Sequence, residues 1–122
     1  MTVTGRMIAD GLRPGAEFAP PATRIVKMVR VDVGDSAGPG QPRFWTIVDF
    51  ESGDGGAVAA ALAESLDTEG GWYADFADGD DHVVVFAGKV FRYAPDDRET
   101  YAAAVAYGRS VGVPEHQLDW EG

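Results

Sequence analysis

Apolar positions alternate most clearly between Gly70 and Tyr93, in GGWYADFADGDDHVVVFAGKVFRY. Side chains at i, i+2 and i+4 share one side of an extended strand, so this stretch predicts three short strands. Asp78–Asp81 form the first turn and Ala87-Gly88 the second, with Gly88 supplying a positive φ. That register sets Ala77 opposite His82, Phe76 opposite Val83, Phe86 opposite Lys89 and Val84 opposite Phe91. One face then carries Trp72, Ala74, Phe76, Val83, Val85 and Val90, ending at Arg92. The other carries Tyr73, Asp75, Val84, Phe86, Phe91 and Tyr93, fringed by His82 and Lys89. Both faces are largely apolar, and alternation forbids them from sharing one core.

Upstream, RIVKMVRVDV (Arg24–Val33) reads as a strand, and FWTIVDFE (Phe44–Glu51) as its antiparallel partner across the loop GDSAGPGQPR. AVAAALAESLD (Ala57–Asp67) is helical by propensity, with Val58, Leu62 and Leu66 on one stripe. In PDDRETYAAAVAYGRSVGVP, Asp96 is placed to cap a second helix with Glu99 three residues on. Its stripe is Tyr101, Ala104, Val105, Gly108 and Val111, and it should end near Gly112, ahead of Pro114. Residues 1–23 read as a loop or loosely held N-terminal arm, while Leu118 and Trp120 look like anchors in the tail. The order ββαβββα predicts an α+β fold: a largely antiparallel sheet with two helices packed on one face, in a single domain over residues 1–122.

Composition narrows the chemistry. The chain has no cysteine, which excludes disulfides, thiolate catalysis and cysteine-ligated zinc. It has no asparagine, and so no N-glycosylation site. The N-terminus has no apolar signal region, and the Ala-rich run is too short to span a bilayer; a cytoplasmic protein away from the membrane is the expectation. The net charge of −10 is uneven: residues 1–56 hold six basic and seven acidic side chains, residues 57–122 four and thirteen. Direct nucleic-acid binding is disfavoured, because phosphate contacts need clustered Lys and Arg. An acidic second half suits a basic protein partner.

Motifs tested for catalysis lack context. Gly108-Arg109-Ser110-Val111-Gly112 fits the G-x-S-x-G pattern, but its serine falls in the last turn of a helix instead of on a strand-to-helix elbow. Gly53-Asp54-Gly55-Gly56 lies where phosphate loops occur, yet Asp54 would repel phosphate and no Lys follows. The Asp75–Asp81 carboxylates lack the spacing of an EF-hand, whose twelfth position here is Phe86. His82 and His116 are isolated from any second histidine. The chain is therefore expected to be no enzyme, with no catalytic residue, metal site or cofactor.

The aromatic face then becomes the candidate binding surface, through Tyr73, Asp75, His82, Phe86, Phe91 and Tyr93. Three covers compete for it: the N-terminal arm with the first hairpin, a homodimer mate or partner protein, and a small ligand. GGWYADF, VVVFAGKVFRY and SVGVPEHQLDW resemble segments of a small bacterial family of uncharacterised proteins, over about Gly70–Trp120. That resemblance implies no activity and no catalytic residue. Two Lys against eight Arg, with eighteen Ala, fit a GC-rich bacterial genome. The leading expectation is a non-enzymatic acidic protein acting through protein–protein contact, inhibitor- or immunity-like toward a basic partner, or pairing with itself. The alternative is a small-molecule binder or minor hydrolytic enzyme with its pocket on the aromatic face.

Overall fold

The computed structural model describes residues 2–38 and 40–118. Its strands are β1 (Val3–Ile8), β2 (Thr23–Asp32), β3 (Phe44–Ser52), β4 (Ala74–Asp78), β5 (Asp81–Phe86) and β6 (Lys89–Tyr93). They form one antiparallel sheet in the order β2-β3-β1-β4-β5-β6. Two helices, α1 (Gly55–Ser65) and α2 (Arg98–Ser110), complete an α+β fold. Among the described residues no helix is long and apolar enough to cross a membrane.

The meander pairs as its pattern predicts. Phe76 lies opposite Val83, Ala77 opposite His82, Val84 opposite Phe91 and Phe86 opposite Lys89. Gly88 takes φ +71°, a value that costs a residue without Cβ little, so two residues reverse the chain. β2 and β3 pair antiparallel, with a bulge between Ile25 and Lys27 that leaves Val26 out of the ladder.

The N-terminal arm expected over residues 1–23 is corrected. Val3–Ile8 is a strand in the middle of the sheet, bonded to β3 on one side and β4 on the other. Residues 9–22 are irregular, opening with a 3-10 turn at Ala9–Gly11. The strand is faint in the sequence because an inward position is held by Gly5. A Cβ there would lie 2.5 Å from the Phe50 ring, which takes up the space a side chain would have filled.

The helices also depart from the expected placement: they take opposite faces of the sheet. Val58, Ala59 and Leu62 of α1 join Val3, Phe50, Phe76, Val83 and Val85 in one core. Ala104 of α2 joins Val84, Phe86 and Tyr93 in a second, which Val113 and Leu118 extend. The reason lies in β5, where Val83 to Phe86 are all buried although neighbours point opposite ways. A strand apolar on both sides needs two covers, and one helix supplies each.

Helix ends follow carboxylates. Asp54 caps α1 by accepting from the Ala57 N–H, so the helix starts two residues ahead of the predicted Ala57. α2 is capped by Asp97 in place of the expected Asp96. The Asp97 carboxylate accepts both the N–H and the hydroxyl of Thr100. Those two bonds, the hydroxyl one foremost, hold its pKa below the usual carboxylate value. Trp120, expected as an anchor, lies outside the described residues, whereas Leu118 is buried.

Candidate functional site

Tyr73, Phe86, Phe91 and Tyr93 of the aromatic face are brought together, and α2 with the segment after it lies over these four. Phe86 is 1% exposed, meeting the rings of Tyr107 at 5.0 Å, Phe91 at 6.0 Å and Tyr73 at 6.4 Å between centroids. Tyr93 is buried between His82 and Tyr101. The Tyr73 hydroxyl donates to the Gln117 carbonyl at 3.1 Å, tying the tail down. The Lys89 ammonium sits over the Phe91 ring at 5.3 Å, closing the margin with a cation–π contact. The cover comes from α2, not from the N-terminal arm that heads the expected list. The opposite meander face is core up to Val85, but Val90 at the β6 edge is 41% exposed.

Asp75 and His82 lie beyond the reach of α2, with His82 Nε2 2.9 Å from Asp75 Oδ2. They end a row of charges that crosses the sheet and was not anticipated from sequence. Lys27 on β2 is in register with Asp49 on β3, Asp49 with Arg6 on β1, and Arg6 with Asp75 on β4. Arg6 Nε donates to Asp49 Oδ1 at 2.7 Å. This bond, more than the bare attraction between the charges, raises the Arg6 pKa and lowers that of Asp49. The signs alternate, so each carboxylate of the row neighbours a cation and neither is placed as an unpaired general base.

The remaining motif residues serve the fold. Ser110 Oγ donates to the Tyr107 carbonyl within the last turn of α2, which leaves no nucleophile elbow. The Asp78 and Asp81 carboxylates of the β4–β5 turn both accept from Arg92. His116 Nε2 lies 3.1 Å from the Ser36 carbonyl. Among the described residues no group of three His, Cys, Asp or Glu is disposed to hold a metal ion.

The unsatisfied surface lies at the other end of the sheet. β2 is the outermost strand: β3 pairs with one side of its backbone, and among the described residues no strand pairs with the other. Its apolar side chains stand in water, with Ile25 and Met28 both 61% exposed; Phe44, where β3 begins, is 47% exposed. Beside it, on the α1 face, lies an apolar groove of about 520 Å³. Met7, Val48 and Phe50 line its floor, Phe18 and Pro20 of the loop one wall, and Ile25 and Met28 the other. Neither helix makes a principal contact with this half of the sheet, because α1 packs chiefly on β5 and β6 and α2 on β6.

A signal for this surface exists in the sequence. Arg24, Lys27 and Arg30 recur every third residue, which a two-residue alternation places on both sides of the strand. A strand buried on either face would have to desolvate those cations. An edge strand keeps them in water, where Arg24 meets Glu51 at 2.8 Å and Arg30 meets Asp10 at 3.4 Å. Comparison of the chain with protein-family models, with curated proteins and with solved structures finds no match.

Proposed function

We propose that this chain is a non-enzymatic protein that acts through protein–protein contact, with β2 and the groove beside it as the contact surface. The observation that carries this reading is the exposure of Ile25 and Met28 on a ten-residue strand that ends the sheet, with no strand among the described residues paired to its outer edge. The bulge at Val26 and the cations Arg24, Lys27 and Arg30 guard this edge against other copies of the chain, yet they leave Ile25 and Met28 open to a partner of another kind. Here the apolar groove next to it gives a partner's side chains somewhere to go.

The acidity of the chain does not call for a basic partner at this surface, because β2 itself carries Arg24, Lys27 and Arg30. Asp10, Asp32, Asp54, Asp67 and Asp97 each accept a backbone N–H within the chain, so part of the surplus holds turns and helix ends. The small-molecule alternative loses its support on the aromatic face, where α2 occupies the space a ligand would need.

A photo-cross-linking residue tests the reading. Placed at Val26 or Phe44 and activated in native lysate, it should give a discrete adduct, while the same residue at Ala102 on the outer side of α2 should give none. Adducts from Ala102 alone, or from no position, would contradict it.

A further inference from the structure

Resting on that contact reading, we infer that the β2 edge receives an added strand with alternating apolar and acidic side chains, which sets an apolar side chain beside Met28, over the groove, and a carboxylate beside Lys27, at the end of the charged row. After the bulge, Lys27–Asp32 runs in unbroken register with β3, six residues, which is a typical strand length. Its outer backbone edge can therefore take one more strand by ordinary ladder hydrogen bonds.

Two features of the edge choose the side chains of the incomer. On the α1 face, Ile25 and Met28 pair in register with Phe50 and Val48, and all four line the groove. An apolar side chain placed beside Met28 drops into that groove and leaves water. On the other face the charged row runs Asp75, Arg6, Asp49, Lys27 and stops at the edge on a cation. Asp49 is already held by Arg6 at 2.7 Å, so it is shared between two cations. A carboxylate opposite Lys27 would continue the alternation by one step, and a second cation would break it.

The same charges disfavour a second copy of this chain. Self-pairing would bring Arg24, Lys27 and Arg30 of each molecule into one seam, offset within the strand only by Asp32 from each. Like charges directly across a ladder repel, and edge cations are a common guard against self-association. The far edge of the sheet is a natural control. β6 is half as long, with five residues to the ten of β2, and it carries Lys89 and Arg92.

The probes are three capped nine-residue peptides: alternating Glu and Val, alternating Lys and Val, and a Glu block followed by a Val block. Amide exchange of the full chain is followed residue by residue. The alternating acidic peptide should slow exchange at alternate residues of Lys27–Asp32 and leave β6 unchanged. It should bind at least about tenfold more tightly than the basic peptide at low salt. Lys27→Glu, at an exposed position that leaves the core untouched, should reverse that preference. Equal binding of acidic and basic peptides, or no slowing in β2, would overturn the proposal. So would β2 protection that grows with protein concentration alone, which would mean that a second copy closes the edge. Adducts from Val26 in lysate without protection by the acidic peptide would overturn this choice of occupant while leaving the contact surface standing.

Discussion

Phe86→Ala is expected to lower the unfolding free energy by about 3–5 kcal/mol, the usual cost of deleting a fully buried aromatic ring. Folded domains have about 5–15 kcal/mol in all, so the variant should approach the edge of folding. The expectation follows from α2. Had the aromatic face been open to water or to a partner, Phe86 would have been partly solvated in the free chain, and its removal cheap. Instead Phe86 is 1% exposed and surrounded by Tyr73, Phe91 and Tyr107. Phe44→Ala removes the same side chain from the β2 end, where it is 47% exposed, and should cost distinctly less, on the order of 1 kcal/mol. Urea unfolding of the two variants, read as midpoints at constant slope, compares the two ends of the sheet directly. Similar losses for both would contradict the assignment of core and surface.

The second large effect concerns the N-terminus. Val3→Asp should destabilise the chain by on the order of 4 kcal/mol or more at neutral pH, because it buries a carboxylate with no partner. Val3 is 2% exposed and belongs to the core that α1 covers. Thr4→Asp, one residue on and pointing to the exposed side of the same strand, should cost far less, roughly 0.2–1 kcal/mol of repulsion from Glu51 opposite it. The deficit has a pH signature. Burial raises the folded-state pKa of the new carboxylate above its unfolded value of about 3.9. The penalty therefore builds as pH rises through the unfolded value and is relieved below about pH 4, where both states are protonated. A loose arm would give neither the difference between positions 3 and 4 nor the pH dependence.

The meander was legible residue by residue because its turns are short and its alternation is strict. A two-residue turn at Ala87-Gly88 leaves one register, and Val84 opposite Phe91 follows from it. The stripes of both helices were legible for the same kind of reason. Alternation could say that two apolar faces existed, but not which element would cover each. That choice depends on how the chain leaves β3 and β6, which is a matter of three-dimensional path. β1 was hidden because Gly5 replaces an apolar residue and the strand's inward set shrinks to Val3 and Met7. The β2 edge was hidden differently: a run of β-branched residues looks buried, and only the three-residue spacing of its cations says otherwise. The candidate surface therefore moved from the most aromatic stretch of the sequence to the strand whose apolar side chains have no cover.

Hydroxyl-radical footprinting of the full chain, in buffer and then in native lysate, tests the central claim that β2 is where this protein meets its partner. In buffer, Met28 and Phe44 should be strongly modified and Phe86 protected. In lysate, Ile25, Met28 and Phe44 should become protected together, while Tyr101 and Tyr107 on α2 keep the reactivity they had. Met28 and Phe44 staying as reactive in lysate as in buffer, or protection spreading over α2 instead, would contradict the account.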